Sequence, residues 1–135
     1  MAANTKAYIA DSSAILATLL PDEKTKATAK KIIPLLEKYP IFSCSLLEYE
    51  ICNSFKSAYL QNRIAQKSVQ ILWGNFLKIP ITYLPVNFPQ TLKFAIQHHL
   101  SVYDAAYLHL AKAQKASLLS LDTTLAKLAT SSPEI

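Results

Sequence analysis

The stretch KAYIADSSAILATLL, residues 6–20, contains the pattern that decides the fold. Its first part, KAYIAD, is typical of a short buried strand, and SSAILATLL continues with apolar residues at helical spacing until Pro21 stops the helix. Asp11 stands at the junction, between two apolar segments. The stretch therefore predicts a strand that passes directly into a helix, with an acid at the carboxyl end of the strand.

The rest of the chain alternates in the same way between short β-prone segments and longer helical ones. The β-prone or extended segments are IFSC (41–44), PITYLPV (80–86) and SLLSLD (117–122). The helical segments are 21–39, 46–62, 64–79, 89–99, 101–115 and 123–130. Pro34 is expected to kink or split the first of these, and Ser45 is a candidate cap for the second. Because parallel strands need long crossovers, this order predicts an α/β fold: a three-layer α/β/α sandwich with a central parallel sheet of about four to five short strands.

Length and composition limit the class of protein further. The 135 residues are enough for one domain with its own core, and a chain that is 51% hydrophobic and 17% charged is not a disordered one. No apolar run approaches the roughly 18 residues of a membrane span, and the N-terminus lacks the apolar core of a signal peptide. Cys44 and Cys52 form no CxxC motif. We therefore expect a single domain over residues 1–135, with reduced thiols, in the cytoplasm.

Charge and glycine content bear on the kind of ligand. Fourteen basic and nine acidic residues give a net charge of +5, which favours a polyanionic partner but is equally explained by surface lysines that keep the protein soluble. The single glycine, Gly74, lies in a helical segment. Glycine-rich phosphate loops of the P-loop or dinucleotide-binding type are therefore excluded.

Three aspartates lie where strands end or helices begin. Asp11 and Asp122 each end a predicted strand, and the carboxyl edge of a parallel sheet is where open α/β folds bind ligands. Either one alone is also explained as the cap of the helix that follows. Asp104 lies three residues after Ser101, which is the spacing of a capping box, so capping and ligand binding both remain open for it.

Convergence of these acids would demand a cation. Two carboxylates about 4 Å apart repel by roughly 4 kcal/mol at an effective dielectric constant of about 20. A cluster of three or four therefore needs protons or a divalent ion, and a site made only of oxygen atoms suits magnesium or manganese.

A glutamate from the helical segment 46–62 is a further candidate. Glu48 and Glu50 differ by about 200° around a helix, so both cannot face one site. Glu50 shares its side of the helix with Asn53 and Ser54 and Glu48 shares its own with Ile51 and Phe55, which weakly favours Glu50 and leaves Glu48 open.

Four segments together resemble the PIN domain family and, within it, the VapC-type toxins of bacterial toxin-antitoxin pairs. They are IADSSAIL (9–16), EICNSF (50–55), LSVYDAAYLHLA (100–111) and SLLSLDTTLAKLA (117–129). Their order and spacing resemble the family over nearly the whole chain, and EICN matches its acid-apolar-x-Asn pattern. One difference is Ser120, where the family often has threonine.

The resemblance implies a single PIN domain that acts as a metal-dependent endoribonuclease, with magnesium (or manganese) as cofactor. It implies an RNA substrate, a small antitoxin protein as partner, and a homodimer. The acids to which it assigns catalysis and metal binding are Asp11, Glu50, Asp104 and Asp122. The polar residues expected to support them are Ser12, Asn53 and Ser120.

The sequence supports other functions less strongly than a toxin nuclease. His98, His99 and His109 could suggest a zinc site, but the adjacent pair points to different sides of a helix and the cysteines are distant in sequence. A PIN nuclease that processes RNA outside a toxin-antitoxin pair, and a catalytically silent PIN-like binding module, both remain as alternatives. Metal-dependent cleavage separates the second from a nuclease, and a neighbouring antitoxin gene separates the first from a toxin.

Overall fold

The structure, a computed structural model, describes residues 6–21 and 23–130. Within these residues the chain forms four strands, β1 Tyr8–Ala10, β2 Ile41–Ser43, β3 Ile81–Tyr83 and β4 Ser117–Leu119. The described part of the chain also forms seven helices, α1 Ser12–Leu19, α2 Glu23–Lys38, α3 Leu46–Leu60, α4 Gln66–Leu77, α5 Phe88–His98, α6 Val102–Gln114 and α7 Thr123–Thr130. Strands and helices follow one another in the predicted order.

The four strands form one parallel sheet in the order β3-β2-β1-β4. The central strand β1 is buried at all three positions, as expected for a strand covered on both faces. Its alternate residues contribute to different cores: Tyr8 and Ala10 pack with α1 to α4, whereas Ile9 packs with α6, α7 and β4. The sheet thus separates two helical layers, which confirms the predicted three-layer α/β/α class.

The order of the strands places the ends of β1 and β4 side by side. Ala10 is paired with Leu119, and the backbone N–H of Asp11 donates to the carbonyl of Leu119 at 3.1 Å. Helix α6 packs against both strands from the second layer. The residues that follow β1 and β4, and the first turn of α6, therefore meet at the carboxyl edge of the sheet.

The structure bears on two local predictions. Of the two outcomes expected at Pro34, the split is excluded, because the helix α2 continues through this residue. Pro34 is exposed, so water can bond the carbonyl group that proline leaves without its helical partner. Ser45 occupies the position before α3, but its backbone is already helical and its side chain makes no capping hydrogen bond.

Cys44 is buried and Cys52 exposed, and both are free thiols. None of the helices within the described part of the chain is long and apolar enough to cross a membrane.

Candidate active site

Asp11 lies at the centre of the carboxyl edge, directly after β1. It is only 7% exposed, and its extended backbone makes it the N-cap of α1. Its Oδ1 accepts two hydrogen bonds, from the backbone N–H of Ala14 at 3.1 Å and from the hydroxyl of Ser13 at 2.7 Å. Asp11 is therefore a helix cap, and no residue within 6–21 and 23–130 bonds its Oδ2, which can accept another ligand.

Ser13 joins the segment after β1 to the segment after β4. Its hydroxyl donates to Asp11 and accepts from the backbone N–H of Leu121 at 2.9 Å, and it lies 3.5 Å from the hydroxyl of Ser120. Ser120 in turn accepts from the backbone N–H of Asp122 at 3.0 Å. A chain of polar contacts thus holds the backbone that carries Asp122 against the start of α1.

Asp122 differs from its predicted position at the end of a strand. The strand β4 ends at Leu119, and Asp122 follows three residues later as an exposed residue. Its Oδ1 accepts from the backbone N–H of Leu125 at 3.0 Å, so it caps α7. The cause of the difference is that the chain bends at Leu121, whose backbone N–H donates to Ser13, where the sequence suggested continued β structure.

Asp104 is half-buried in the first turn of α6, where the charges of the two other aspartates act on it. Its backbone N–H donates to the Ser101 hydroxyl at 3.0 Å, as the capping-box spacing predicted. Burial raises the pKa of Asp104, and the negative charges of Asp122 and then Asp11 raise this pKa further, against a smaller opposing effect of the Ser101 side chain. The carboxylates of Asp11 and Asp122, from the segments after β1 and β4, therefore act on the carboxyl group of Asp104 at the start of α6.

Glu50 reaches this region from the other helical layer. Its Oε1 accepts a hydrogen bond of 2.5 Å from the hydroxyl of Tyr107, which lies one turn after Asp104 on α6. Burial raises the pKa of Tyr107 well above its usual range, and the contact with Glu50 and the charges of Glu50, Cys44 and Asp11 add to this rise. Glu48 instead acts on Tyr83, whose pKa is raised first by burial and then by this glutamate. Tyr83 is on β3, the outermost strand on the side away from β4, so Glu48 lies away from the aspartates. Glu50, which contacts Tyr107 on α6, is the glutamate on the side of the aspartates.

The three polar residues that were predicted to support the acids differ in how close they lie to them. Ser120 lies beside Asp122, as just described, and Asn53 is exposed on α3, three residues after Glu50. The serine that contacts Asp11 is Ser13 and not Ser12.

Two of the three histidines, His98 and His109, lie beside an aromatic ring of α5. Phe94 packs against His98 and His109, with ring centroids 6.1 and 6.0 Å apart, between α5 and α6. Burial lowers the pKa of His109, which keeps its imidazole neutral. A structural position in the second helical layer accounts for both rings.

The donor set fits a hard divalent cation. All four acids offer carboxylate oxygens, and burial together with the charges of Asp122 and Asp11 raises the pKa of Asp104. Among residues 6–21 and 23–130, no group of three or more His, Cys, Asp or Glu side chains is placed so that it could hold a metal ion. Magnesium does not need three protein ligands, because it usually keeps several waters and is held by one or two carboxylates.

Sequence reasoning missed Ser13 and Tyr107. Ser13 follows Asp11 by two residues, at the start of a helix where serine hydroxyls commonly bond nearby groups, so a local signal existed. Tyr107 has the buried ring of a core residue. Its position one turn after Asp104, on the same side of α6, together with the need of a buried tyrosine hydroxyl for a partner, was the available signal.

The chain is similar to known proteins in sequence and in fold. Ribonuclease VapC3 from Pyrobaculum aerophilum is 27% identical to this chain over 123 residues, which are 88% of this chain and 92% of that protein. The crystal structure of PAE2754 from the same organism has the same fold, with a TM-score of 0.72 at 20% identity, over 98% of this chain and 91% of that one. The family model described as PIN domain matches residues 8–130. The resemblance seen in the sequence is thus confirmed, and the chain belongs to the PIN domain family.

Proposed function

We propose that the chain is a metal-dependent endoribonuclease, the toxin of a VapBC-type toxin-antitoxin pair, which hydrolyses phosphodiester bonds of RNA. The observation that carries the proposal is the position of Asp104 in the first turn of α6, where the charges of Asp122 and Asp11, which follow β4 and β1, act on its carboxyl group. Membership of the PIN domain family and the similarity to a protein named as a VapC ribonuclease support it.

The four acids and Ser13 have different roles in this proposal. Asp11 and Asp104 hold a magnesium or manganese ion, and Asp122 and Glu50 contribute directly or through water. When bound, such an ion lowers the pKa of a coordinated water and offsets the charge that develops on the phosphate. Ser13 keeps the Asp11 carboxylate oriented by donating to Oδ1, and its oxygen is occupied by the N–H of Leu121. Such a site would use a water molecule as the nucleophile, so that no serine nucleophile and no covalent protein intermediate are needed.

Removal of divalent ions tests the proposal. Purified protein is expected to cleave end-labelled RNA in magnesium, to stop in excess EDTA, and to recover when magnesium or manganese is restored. Pre-incubation with EDTA followed by dilution into fresh magnesium controls for damage by the chelator. Undiminished cleavage in excess EDTA would contradict the mechanism, and a lack of metal-dependent cleavage of total cellular RNA would favour a silent binding module.

The antitoxin partner is supported by an apolar groove between α3 and α4. The groove encloses about 540 Å³ and is lined mainly by the side chains of Phe55, Tyr59, Val69 and Trp73, with Lys56 at its side. An extended antitoxin tail that fills such a groove can bury its own apolar residues. A basic side chain of the same tail would be attracted to the group of acids and would block the site.

The homodimer is supported by an apolar stripe on α5. Phe88, Leu92 and Ile96 are exposed at i, i+4 and i+8, so they form one continuous face of the helix. A face of this kind on a helix of a folded protein commonly marks an interface. We propose that two copies of the chain pair through this stripe.

Ile96→Lys is expected to convert the dimer to a monomer, because a lysine within the paired stripes would bury a charge. Light scattering at micromolar concentration is expected to give twice 15.0 kDa for the wild type and 15.0 kDa for the variant. Ile71→Lys on α4 is the matched control, since Ile71 is 61% exposed against 70% for Ile96 and lies away from the stripe. A wild type that is already monomeric, or an Ile96→Lys variant that stays dimeric, would contradict this interface.

A further inference from the structure

The hydrogen bond between Tyr107 and Glu50 connects the two helical layers at the carboxyl edge of the sheet. The ring of Tyr107 belongs to the core beneath α6, with Ile9, Leu108 and Leu118, and the residue is 1% exposed. Glu50 belongs to α3, whose buried residues Ile51 and Phe55 pack in the opposite core. The hydroxyl of Tyr107 therefore reaches past its own layer to a carboxylate that is supplied by the other one.

The bond has the geometry of a strong, charge-assisted interaction. The distance of 2.5 Å from the hydroxyl to Oε1 is at the short end of the range for a hydroxyl that donates to a carboxylate. The donor is rigid because the ring is enclosed by the core, whereas a glutamate side chain on a helix surface has several rotamers to lose. The fixed partner of the pair is thus Tyr107, and the partner that becomes ordered is Glu50.

The position of Tyr107 on α6 gives the bond a further consequence. Asp104 and Tyr107 are one helical turn apart on α6, so they share a rigid frame. Through the hydroxyl of Tyr107, the same helix that presents Asp104 also determines where the carboxylate of Glu50 lies. Small movements of α3 relative to α6 would otherwise separate the two acids.

We propose that Tyr107 is a positioning residue, whose hydroxyl holds the carboxylate of Glu50 in place toward Asp11 and Asp104 without itself contacting metal or RNA. The inference rests on the proposed nuclease function for its consequence in catalysis. The bond itself does not depend on that function. A purely structural tyrosine, which only satisfies its own buried hydroxyl, is the competing explanation.

Tyr107→Phe separates these explanations because it keeps the ring and removes the hydroxyl. The variant is expected to lose about 10- to 100-fold in manganese affinity, measured by calorimetry without RNA, and a similar factor in kcat with little change in KM. Its melting temperature without metal is expected to lie within about 5 °C of the wild type, since the core stays filled. Tyr8→Phe, which alters a buried tyrosine at the start of β1, is the control and is expected to keep wild-type affinity and kcat.

A double-variant cycle tests whether Tyr107 acts through Glu50. In a Glu50→Gln background, which is already impaired, Tyr107→Phe is expected to cause no further loss of manganese affinity. An equal loss in both backgrounds, or wild-type affinity and kcat in Tyr107→Phe alone, would overturn the inference. A wild type that shows no metal-dependent cleavage would instead overturn the proposed function, so the two failures are distinguishable.

Discussion

Asp104→Asn is expected to abolish RNA cleavage while leaving the metal-free protein at least as stable as the wild type. The helix does not depend on the carboxylate, because the capping bond runs from the backbone N–H of residue 104 to the hydroxyl of Ser101. The charge, in contrast, is unfavourable in the folded protein, since burial and the charges of Asp122 and Asp11 raise the pKa of Asp104. Asparagine removes that charge and with it a metal ligand.

The pH dependence of stability follows from the direction of this pKa shift. A carboxyl group whose folded pKa is raised favours folding most when it is protonated, below its ordinary value of 3.8. This contribution is lost as the pH rises through the raised pKa. Metal-free wild type is therefore expected to lose more stability than Asp104→Asn as the pH increases through this interval.

Cleavage assays and thermal melts measure both parts of the Asp104 prediction. Cleavage by Asp104→Asn is expected to fall by at least about 100-fold, since loss even of a residue behind the ligands typically costs 10- to 100-fold. Magnesium is expected to raise the melting temperature of the wild type and to leave that of the variant nearly unchanged. Glu37→Gln is the control, because it also replaces one carboxylate by an amide. Glu37 is exposed near the end of α2, which leads to the amino end of β2 and thus away from the carboxyl edge of the sheet. An Asp104→Asn variant that melts earlier without metal, keeps the magnesium shift and cuts RNA normally would show that Asp104 serves only the helix.

The fold could be predicted because each of its elements has a local cause. KAYIAD and SLLSLD are short apolar runs, and the helical segments between them exclude an antiparallel hairpin, so a parallel sheet was the remaining arrangement. The errors lie where long-range contacts decide. The end of β4 at Leu119 depends on the bond between Leu121 and Ser13, whose positions are 108 apart in the chain.

The candidate site could be predicted in its acids but not in what orients them. Helical periodicity left Glu48 and Glu50 open, and the structure differentiates them through Tyr107, which is 57 positions away from Glu50. No pattern within α3 contains that contact. Ser45 illustrates the opposite case: the residue type is right for a cap, but the backbone that leads out of β2 is already helical, so its hydroxyl has no N–H to accept from.

Asp11→Asn is expected to abolish cleavage at little cost in stability, whereas Asp11→Ala is expected to lose both. Asparagine caps helices about as well as aspartate, and its side-chain oxygen can still accept from the N–H of Ala14 and the hydroxyl of Ser13. Alanine can accept neither bond and should lower the free energy of unfolding by about 1 kcal/mol, in a range of roughly 0.5 to 2. Urea denaturation without metal measures the stabilities, and cleavage of labelled RNA in magnesium measures the activities.

Asn87→Ala is the matched control for the loss of a cap. Asn87 accepts from the backbone N–H of Gln90 at 3.1 Å at the start of α5, which is the same arrangement as that of Asp11 on α1. Its removal is expected to lower stability by a similar amount and to leave cleavage intact. If Asp11 were only a cap, Asp11→Asn would cut RNA at the wild-type rate and Asp11→Ala would behave like Asn87→Ala. Loss of cleavage in Asp11→Asn at nearly wild-type stability requires instead that the negative charge of Asp11, and not its capping oxygen, is what the reaction uses.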